Sequence, residues 1–224
     1  MENHKKTNSE KRKPKGPVKF NIDLNEEQKH AKTLIHENTI TYLKGAPGSG
    51  KTLLAANAAI DMFYKREIER IIICRPAVSR EEIGFLPGSA DDKLMPYLQP
   101  VLDNFYQLRA KEEIDQLLRD GIIHILPFAF MRGHTFLNSC IIVDEAQNLT
   151  TNMMELVLGR IGMNSKMIIC GDHSQIDLKD KKESGIHILN ILAKEVDGFG
   201  MIELKRNHRD PIVVRMLEVL KIYE

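Results

Sequence analysis

Short apolar runs recur along the chain and alternate with stretches whose apolar residues follow helical spacing. The apolar runs occupy 39–43, 71–74, 122–126, 140–143, 167–170 and 201–204. The helical stretches include 51–67, 152–161 and 185–194. Continuous apolar strands that alternate with helices are typical of a parallel sheet covered on both faces. We therefore predict a three-layer α/β fold with a mostly parallel sheet.

A capping signal marks the start of the first helix. Asn25 is followed three residues later by Gln28, and Ala31, Leu34 and Ile35 then recur at helical spacing. An Asn with a Gln three residues further on favours a capping box, so we predict that a helix begins here.

The stretch 98–119 is amphipathic, with Leu102, Phe105, Ile114, Leu117 and Leu118 among charged residues. Because the apolar stripe of such a helix usually faces the core, we predict that this stretch packs on the sheet. A contact between subunits is the alternative.

The composition is that of an ordinary globular protein, with 224 residues, 42% of them hydrophobic and 28% charged. It excludes a collagen, a low-complexity polymer and a disulfide-stapled miniprotein. Cys74, Cys140 and Cys170 each flank an apolar run, so we expect buried thiols in a reducing compartment. No apolar run approaches the ~18 residues of a membrane span, and we find no signal sequence. We therefore predict a cytoplasmic protein without membrane contact.

Charge is distributed unevenly, although the whole chain is nearly neutral. Residues 1–19 hold seven basic and two acidic residues, whereas the rest of the chain holds 25 basic and 29 acidic residues. A segment with almost nothing to bury is predicted to be disordered, as a solubilising tail or a phosphate-binding arm. We therefore divide the chain into a disordered basic tail, 1–19, and a single domain, 20–224.

The clearest chemical signal is GAPGSGKT at 45–52, which matches the phosphate-binding loop G-x-x-x-x-G-K-[ST] between a predicted strand and a predicted helix. Its backbone N–H groups and the helix N-terminus favour anionic oxygens. Lys51 would reach the β- and γ-phosphates of ATP, and the Thr52 hydroxyl would bind Mg²⁺. The predicted nucleotide-binding residues of this segment are Gly45, Ala46, Pro47, Gly48, Ser49, Gly50, Lys51, Thr52 and Leu53.

Polar groups also follow two of the later strands. Asp144 and Glu145 end one of them, and Gln175 follows the next. The carboxyl ends of parallel strands lie where open α/β sheets bind ligands. Asp144 is therefore the predicted partner of Thr52 at Mg²⁺, Glu145 the predicted base for the attacking water, and Gln175 the predicted sensor of the γ-phosphate. The alternatives are a helix cap for the acidic pair and a plain turn before Gln175.

These motifs resemble the PhoH-like proteins, a branch of P-loop ATPases related to the superfamily 1 helicases. The matching segments are GAPGSGKT (45–52), RPAV (75–78), GFLPG (84–88), PYLQP (96–100), MRGHT (131–135), IIVDEAQNLT (141–150), RIGMNSKM (160–167) and GDHSQIDL (171–178). They cover most of residues 40–178 in the family's order. The resemblance implies a P-loop NTPase fold of the RecA and helicase type, ATP hydrolysis with Mg²⁺, association with RNA, and a ring such as a hexamer.

The resemblance also implies roles for residues outside this block. Gln28 resembles the adenine-reading glutamine of superfamily 1 helicases, a role that competes with the capping box. In LKRNHR (204–209), Arg209 is implied as an arginine finger at the γ-phosphate, with Arg206 as its rival and an exposed salt bridge as the alternative. This segment departs from the helicases' Leu-x-x-Asn-Tyr-Arg motif by His208 in place of Tyr.

We expect nucleic acid on one side of the sheet. Arg75, Ser79, Arg80, Arg132 and His134 lie near predicted strand ends, where helicases hold the strand backbone. Donors there would contact phosphates without reading sequence. Because aromatic residues are only 6% of the chain and Trp is absent, we expect backbone contacts to dominate and base stacking to be minor.

Together with the resemblance, which is what implies RNA rather than DNA, these features predict an RNA-stimulated, helicase-like ATPase that remodels single-stranded RNA or translocates on it. The alternatives are a slow nucleotide-switched adaptor and a small-molecule kinase, which the acidic pair and Gln175 disfavour. The length leaves room for one ATPase lobe, whereas a translocating motor needs two. We therefore expect neighbouring copies to supply the second wall of each site in a closed ring.

Overall fold

The computed structural model describes residues 23–76 and 90–220. The predicted tail at 1–19 and the candidates Ser79 and Arg80 therefore lie outside the described residues. None of the helices within the described ranges is long and apolar enough to cross a membrane.

A six-stranded sheet forms the middle layer, in the spatial order β3-β2-β4-β5-β1-β6. Its strands are β1 (Ile40–Gly45), β2 (Arg70–Arg75), β3 (Ile123–Pro127), β4 (Ser139–Val143), β5 (Lys166–Gly171) and β6 (Phe199–Leu204). Every neighbouring pair is parallel. Each predicted apolar run corresponds to one of these strands, so the α/β class with a parallel sheet is confirmed.

Helices surround this sheet. In the part of the chain that the structure describes, they are α1 (Glu26–Glu37), α2 (Lys51–Tyr64), α3 (Ala90–Leu108), α4 (Lys111–Arg119), α5 (Thr151–Leu158), α6 (Ile186–Glu195) and α7 (Pro211–Leu220). Side chains alternate between the faces of a strand. Ile71 and Ile73 accordingly join the core with α2 and α3, whereas Ile72 joins the core with α5 and α6. The three-layer arrangement follows from these two cores.

The amphipathic stretch 98–119 forms the end of α3 and all of α4, with a break around Arg109 and Ala110. Phe105 and Ile114 are fully buried in the same apolar cluster as Ile71 of β2. The prediction that this stretch packs on the sheet layer is therefore confirmed. Its alternative role as a subunit contact stays a prediction.

The parallel direction of the strands brings their carboxyl ends to one edge of the sheet. Strand β5 lies between β1 and β4, with Leu43 opposite Cys170 and Val143 opposite Ile169. The segments that follow these three strands therefore leave the sheet side by side. This is the edge at which open α/β sheets bind ligands.

Candidate nucleotide site

The loop 45–52 leads from the end of β1 into α2. Gly48 and Gly50 have φ angles of 83° and 82°, a left-handed backbone that glycine adopts without strain. Gly50 is the N-cap of α2, and no side chain caps this helix. The first N–H groups of α2 are therefore available to an anion at the loop.

Lys51 and Thr52 point toward opposite parts of this site. Lys51 Nζ donates to the carbonyl oxygens of Gly45 and Ala46, at 2.6 and 3.1 Å. Thr52 Oγ1 donates to Asp144 Oδ1 at 2.9 Å. The structure thus brings together the hydroxyl and the carboxylate that the sequence predicts as Mg²⁺ ligands.

Asp144 is a carboxylate held away from water, with 6% of its surface exposed. Burial raises the pKa of this carboxyl and the neighbouring Glu145 raises it further, while the hydrogen bond from Thr52 opposes the rise. A bound cation would offset the cost of the charged form. Since Mg²⁺ is usually held by one or two carboxylates together with phosphate oxygens, the residues present fit this ion.

Glu145 is fixed from two sides. Its φ of 52° is left-handed, which costs a non-glycine residue about 1–3 kcal/mol. Arg75 Nη2 donates to its Oε1 at 3.4 Å, and Gln147 Nε2 donates to its Oε2 at 2.6 Å. Both carboxylate oxygens therefore have a partner, while 38% of the side chain remains exposed.

Gln147 is a residue of the site that the sequence reasoning missed. It is 1% exposed and joins two strand ends, because its Oε1 also accepts from the backbone N–H of Asp172 at 3.1 Å. Asp172 directly follows β5, whereas Glu145 comes shortly after β4. The only signal in the sequence was a polar residue two positions after Glu145.

A cavity of about 530 Å³ opens between these groups, a size typical of small-molecule sites. It is lined by Pro47, Gly48, Gly50, Lys51, Thr52, Leu53, Arg75, Pro100, Asn104, Asp144, Glu145, Cys170, Gln175 and Arg209. Gln175 and Arg209 thus reach the same space as the loop, whereas Arg206 does not line it. Gly45, Ala46 and Ser49 belong to the loop without lining the cavity.

Arg209 lies over the loop of its own chain. The backbone N–H of His208 donates to the carbonyl oxygen of Gly48 at 2.9 Å. A Cβ added at Gly48 would stand 2.8 Å from Arg209 Cγ. The arginine therefore reaches the site in cis, and a neighbouring copy is not required to bring it there.

Gln28 takes part in the predicted capping box. Its backbone N–H donates to Asn25 Oδ1 at 2.9 Å, and its Oε1 accepts from the Asn25 N–H at 3.1 Å. The capping box is therefore confirmed. The amide nitrogen lies 3.3 Å from His208 Nε2 and, with Gly50 and Leu53, lines a small recess beside the loop. Adenine reading by Gln28 stays a prediction that this position permits.

The candidates for nucleic-acid contact separate in the structure. Arg75 lies at a strand end as expected, but it lines the nucleotide cavity and contacts Glu145. The physical reason is that it ends β2, which neighbours β4. Arg132 and His134 are exposed, and their contact with nucleic acid stays a prediction.

A larger opening of about 740 Å³ lies at the opposite edge of the sheet. Its polar groups are largely bonded to the protein itself. Lys166 Nζ donates to the carbonyl oxygens of His36 and Asn38, both at 2.7 Å, and Asn164 donates to Asn138 at 3.2 Å. None of the site residues predicted from the sequence lines this opening, whereas most of them line the smaller cavity.

Comparison with known proteins identifies the family. The model of the family described as PhoH-like protein matches residues 22–223. The chain belongs to the PhoH-like protein family. A PhoH-like protein of Synechocystis sp. is 40% identical over 187 residues, which cover 82% of this chain and 57% of the relative. A PhoH-like protein of Bacillus subtilis is 41% identical over 184 residues, which cover 81% and 58%. This PhoH-like chain thus spans little more than half the length of these relatives.

Solved structures support the fold assignment of this PhoH-like chain. The large terminase of a thermophilic bacteriophage superposes with a TM-score of 0.56 at 10% identity, covering 88% of this chain and 50% of that one. The SWI2/SNF2 ATPase core of Sulfolobus solfataricus, in complex with dsDNA, gives 0.51 at 13% identity, covering 90% and 48%. At such identity the likeness establishes the P-loop NTPase fold alone.

Proposed function

We propose that this PhoH-like chain binds ATP with Mg²⁺ and hydrolyses it. The observation that carries the proposal is the convergence of Lys51, Thr52, Asp144 and Glu145 on one cavity. A phosphate loop without a carboxylate base would support binding alone. Here the loop and the acidic pair share the cavity, and the Thr52 hydroxyl bonds directly to Asp144.

The positions of the side chains suggest a role in the reaction for each residue. Lys51 and the loop N–H groups would bind the β- and γ-phosphates. Thr52 and Asp144 would hold Mg²⁺, which when bound neutralises phosphate charge. Glu145, aligned by Arg75 and Gln147, would take the proton of the attacking water.

Two further groups would act on the transferred phosphate. Gln175 and Arg209 both line the cavity. Gln175 would hydrogen-bond the γ-phosphate or the attacking water. Arg209 would stabilise charge on the phosphoryl group as it transfers, a contribution that reaches roughly 10³–10⁵ in rate in other systems.

Single-stranded RNA is the proposed activator, and remodelling of RNA in the cytoplasm is the proposed use of the ATP. Support comes from Arg132 and His134, which are exposed in the segment that follows β3, at the same sheet edge as the nucleotide cavity. A protein of similar fold, the SWI2/SNF2 ATPase core, was solved in complex with dsDNA. Phosphate contacts of this kind make binding strongly dependent on salt.

A homo-oligomeric ring is the proposed assembly. Support comes from α7, whose apolar residues are largely exposed: Ile212, Val213, Met216, Leu217, Val219 and Leu220. Contiguous exposed apolar surface often marks a protein contact. Because α7 begins two residues after Arg209, a second copy bound there would lie beside the nucleotide cavity.

Two variants test the hydrolytic site. Lys51→Ala removes the phosphate-binding amine, so we expect ATP binding measured by calorimetry to be strongly weakened. Glu145→Gln keeps the shape of the site but removes the base, so ATP should bind while phosphate release stops. Wild-type phosphate release by Glu145→Gln would contradict the assignment of Glu145 as the base.

A further inference from the structure

Phe130 differs from the other aromatic residues in the part of the chain that the structure describes. It is 63% exposed, whereas every other Phe and Tyr whose side chain the structure describes is buried or half-buried. A single exposed apolar side chain needs no explanation by itself. The surroundings of this ring, however, are those of a binding surface.

Buried neighbours on both sides hold the ring outward. Phe128 is 7% exposed and Met131 is fully buried, and both belong to the core that includes Ile72 and Val143. Phe128–Met131 form a single 3₁₀ turn directly after β3. With both anchors in the core, this turn presents Phe130 to the outside.

Two exposed polar side chains and a stretch of accessible backbone follow the ring. Arg132 and His134 are exposed, and Arg160 Nη1 donates to the carbonyl oxygen of His134 at 3.3 Å, which ties the segment to the end of α5. Gly133 has a φ of 79°, and within the described ranges no atom other than those of its chain neighbours lies within 4 Å of the place where its Cβ would stand. A ligand strand can therefore approach the backbone here closely.

This surface adjoins the nucleotide cavity. Strand β3 pairs with β2 so that Pro127, the residue directly before the turn, lies opposite Arg75. Arg75 in turn lines the cavity and contacts Glu145. A ligand held at Phe130 would thus lie next to the strand whose end touches the proposed base.

We propose that the ring of Phe130 stacks on a base of a single-stranded nucleic acid while Arg132 contacts an adjacent phosphate. Aromatic faces beside cationic side chains are the groups with which proteins hold single strands irrespective of sequence. The inference rests on the proposed nucleic-acid-stimulated ATPase and names a contact within it. The small aromatic content of the chain predicted little stacking, but composition does not show where an aromatic residue lies.

The test measures the affinity of the full-length chain for a labelled single-stranded uridine oligomer and for an abasic strand of the same length, by fluorescence anisotropy at low salt. The variants are Phe130→Ala, Phe130→Tyr and Phe130→Leu. Met163→Ala is the matched control, because Met163 is 77% exposed and lies at the opposite edge of the sheet.

Stacking predicts that Phe130→Ala weakens binding of the uridine strand at least about five-fold and leaves binding of the abasic strand unchanged. Phe130→Tyr and Met163→Ala should bind both strands like the wild type. Phe130→Leu should behave like Phe130→Ala, because leucine is apolar but has no aromatic face.

Three results would overturn the inference. If Phe130→Ala binds the uridine strand like the wild type, the ring makes no contact, and the proposed function stands without it. If Phe130→Leu binds like the wild type, the side chain makes a general apolar contact and does not stack on a base. If the wild type binds neither strand, the proposed function fails and the inference fails with it.

Discussion

Glu145 owes its orientation to residues that the chemistry itself does not require. Its backbone is left-handed, and Arg75 and Gln147 each donate a hydrogen bond to one of its carboxylate oxygens. Gln147 also accepts a hydrogen bond from the backbone N–H of Asp172, so the direction of the Glu145 carboxylate depends on the end of β5. We regard Gln147 as a positioning residue.

Removing the Gln147 amide tests that role. We expect Gln147→Ala to lower kcat about 10- to 100-fold, because misplacement by about 1 Å can cost 10²-fold, while KM for ATP stays nearly constant. Steady-state phosphate release gives both constants. Asn148→Ala is the control, since this neighbour bonds to Asp177 away from the base. An equal loss in both variants would show a general loss of structure rather than a loss of positioning.

The arginines at 206 and 209 offer a matched pair. Arg209 lines the nucleotide cavity and Arg206 does not, although both belong to the same short segment after β6. Arg209→Ala should lower turnover by about 10³-fold or more and preserve ATP binding, whereas Arg206→Ala should turn over ATP normally. Phosphate release measures the turnover of each variant, and calorimetry measures its ATP binding. Normal turnover in Arg209→Ala would remove this residue from the mechanism.

At the level of elements, the positions of the strands along the chain could be predicted from the sequence, whereas their order in the sheet could not. Buried parallel strands are apolar on both faces, so each run stands out in the sequence. Periodicity contains no information on strand order, so the position of β5 between β1 and β4 had to come from the structure. The break near Arg109 was equally hidden, because α3 and α4 present apolar residues to the same core.

Helix α1 links the fold to the site through its cap. Asn25 and Gln28 form the box, and only Gln28 lines the recess beside the loop. Asn25→Ala and Gln28→Ala should each lower the free energy of unfolding, with about 1 kcal/mol expected for the lost Asn25 cap. Only Gln28→Ala should also weaken ATP binding relative to GTP binding. Denaturant titration and calorimetry measure the two effects.

If both variants keep the wild-type ratio of ATP affinity to GTP affinity, Gln28 serves capping alone. The sequence could not separate these roles, because one side chain meets both requirements. The side-chain oxygen Oε1 of Gln28 accepts the capping hydrogen bond, while its Nε2 lies beside His208, which is 180 residues further along the chain. Contacts between residues so far apart in the chain, like the hydrogen bond from His208 to Gly48, leave no local pattern in the sequence.

At the scale of the whole molecule, the cis position of Arg209 changes the reason for expecting a ring. A neighbour is not needed to complete this part of the site, so the proposed ring now depends on the exposed apolar residues of α7. Ile212 and Met216, 66% and 58% exposed, are one helical turn apart. Changing both to Asp should convert an oligomer to monomers in light scattering coupled to size exclusion.

The matched control for this change is Ile191→Asp, which places the same charge at an exposed position of α6. We expect this variant to keep the oligomeric state of the wild type. A wild-type chain that is strictly monomeric and turns over ATP fully would contradict the ring.

Stimulation of ATP hydrolysis by a single strand is the part of the proposed function that one measurement tests most directly. The measurement is phosphate release at low salt, with and without single-stranded RNA, using Glu145→Gln to define the background. We predict turnover that RNA increases and that added salt reduces toward the basal rate, because the strand is held largely through phosphates. Turnover that RNA leaves unchanged would contradict the claim and favour a slow nucleotide-switched adaptor.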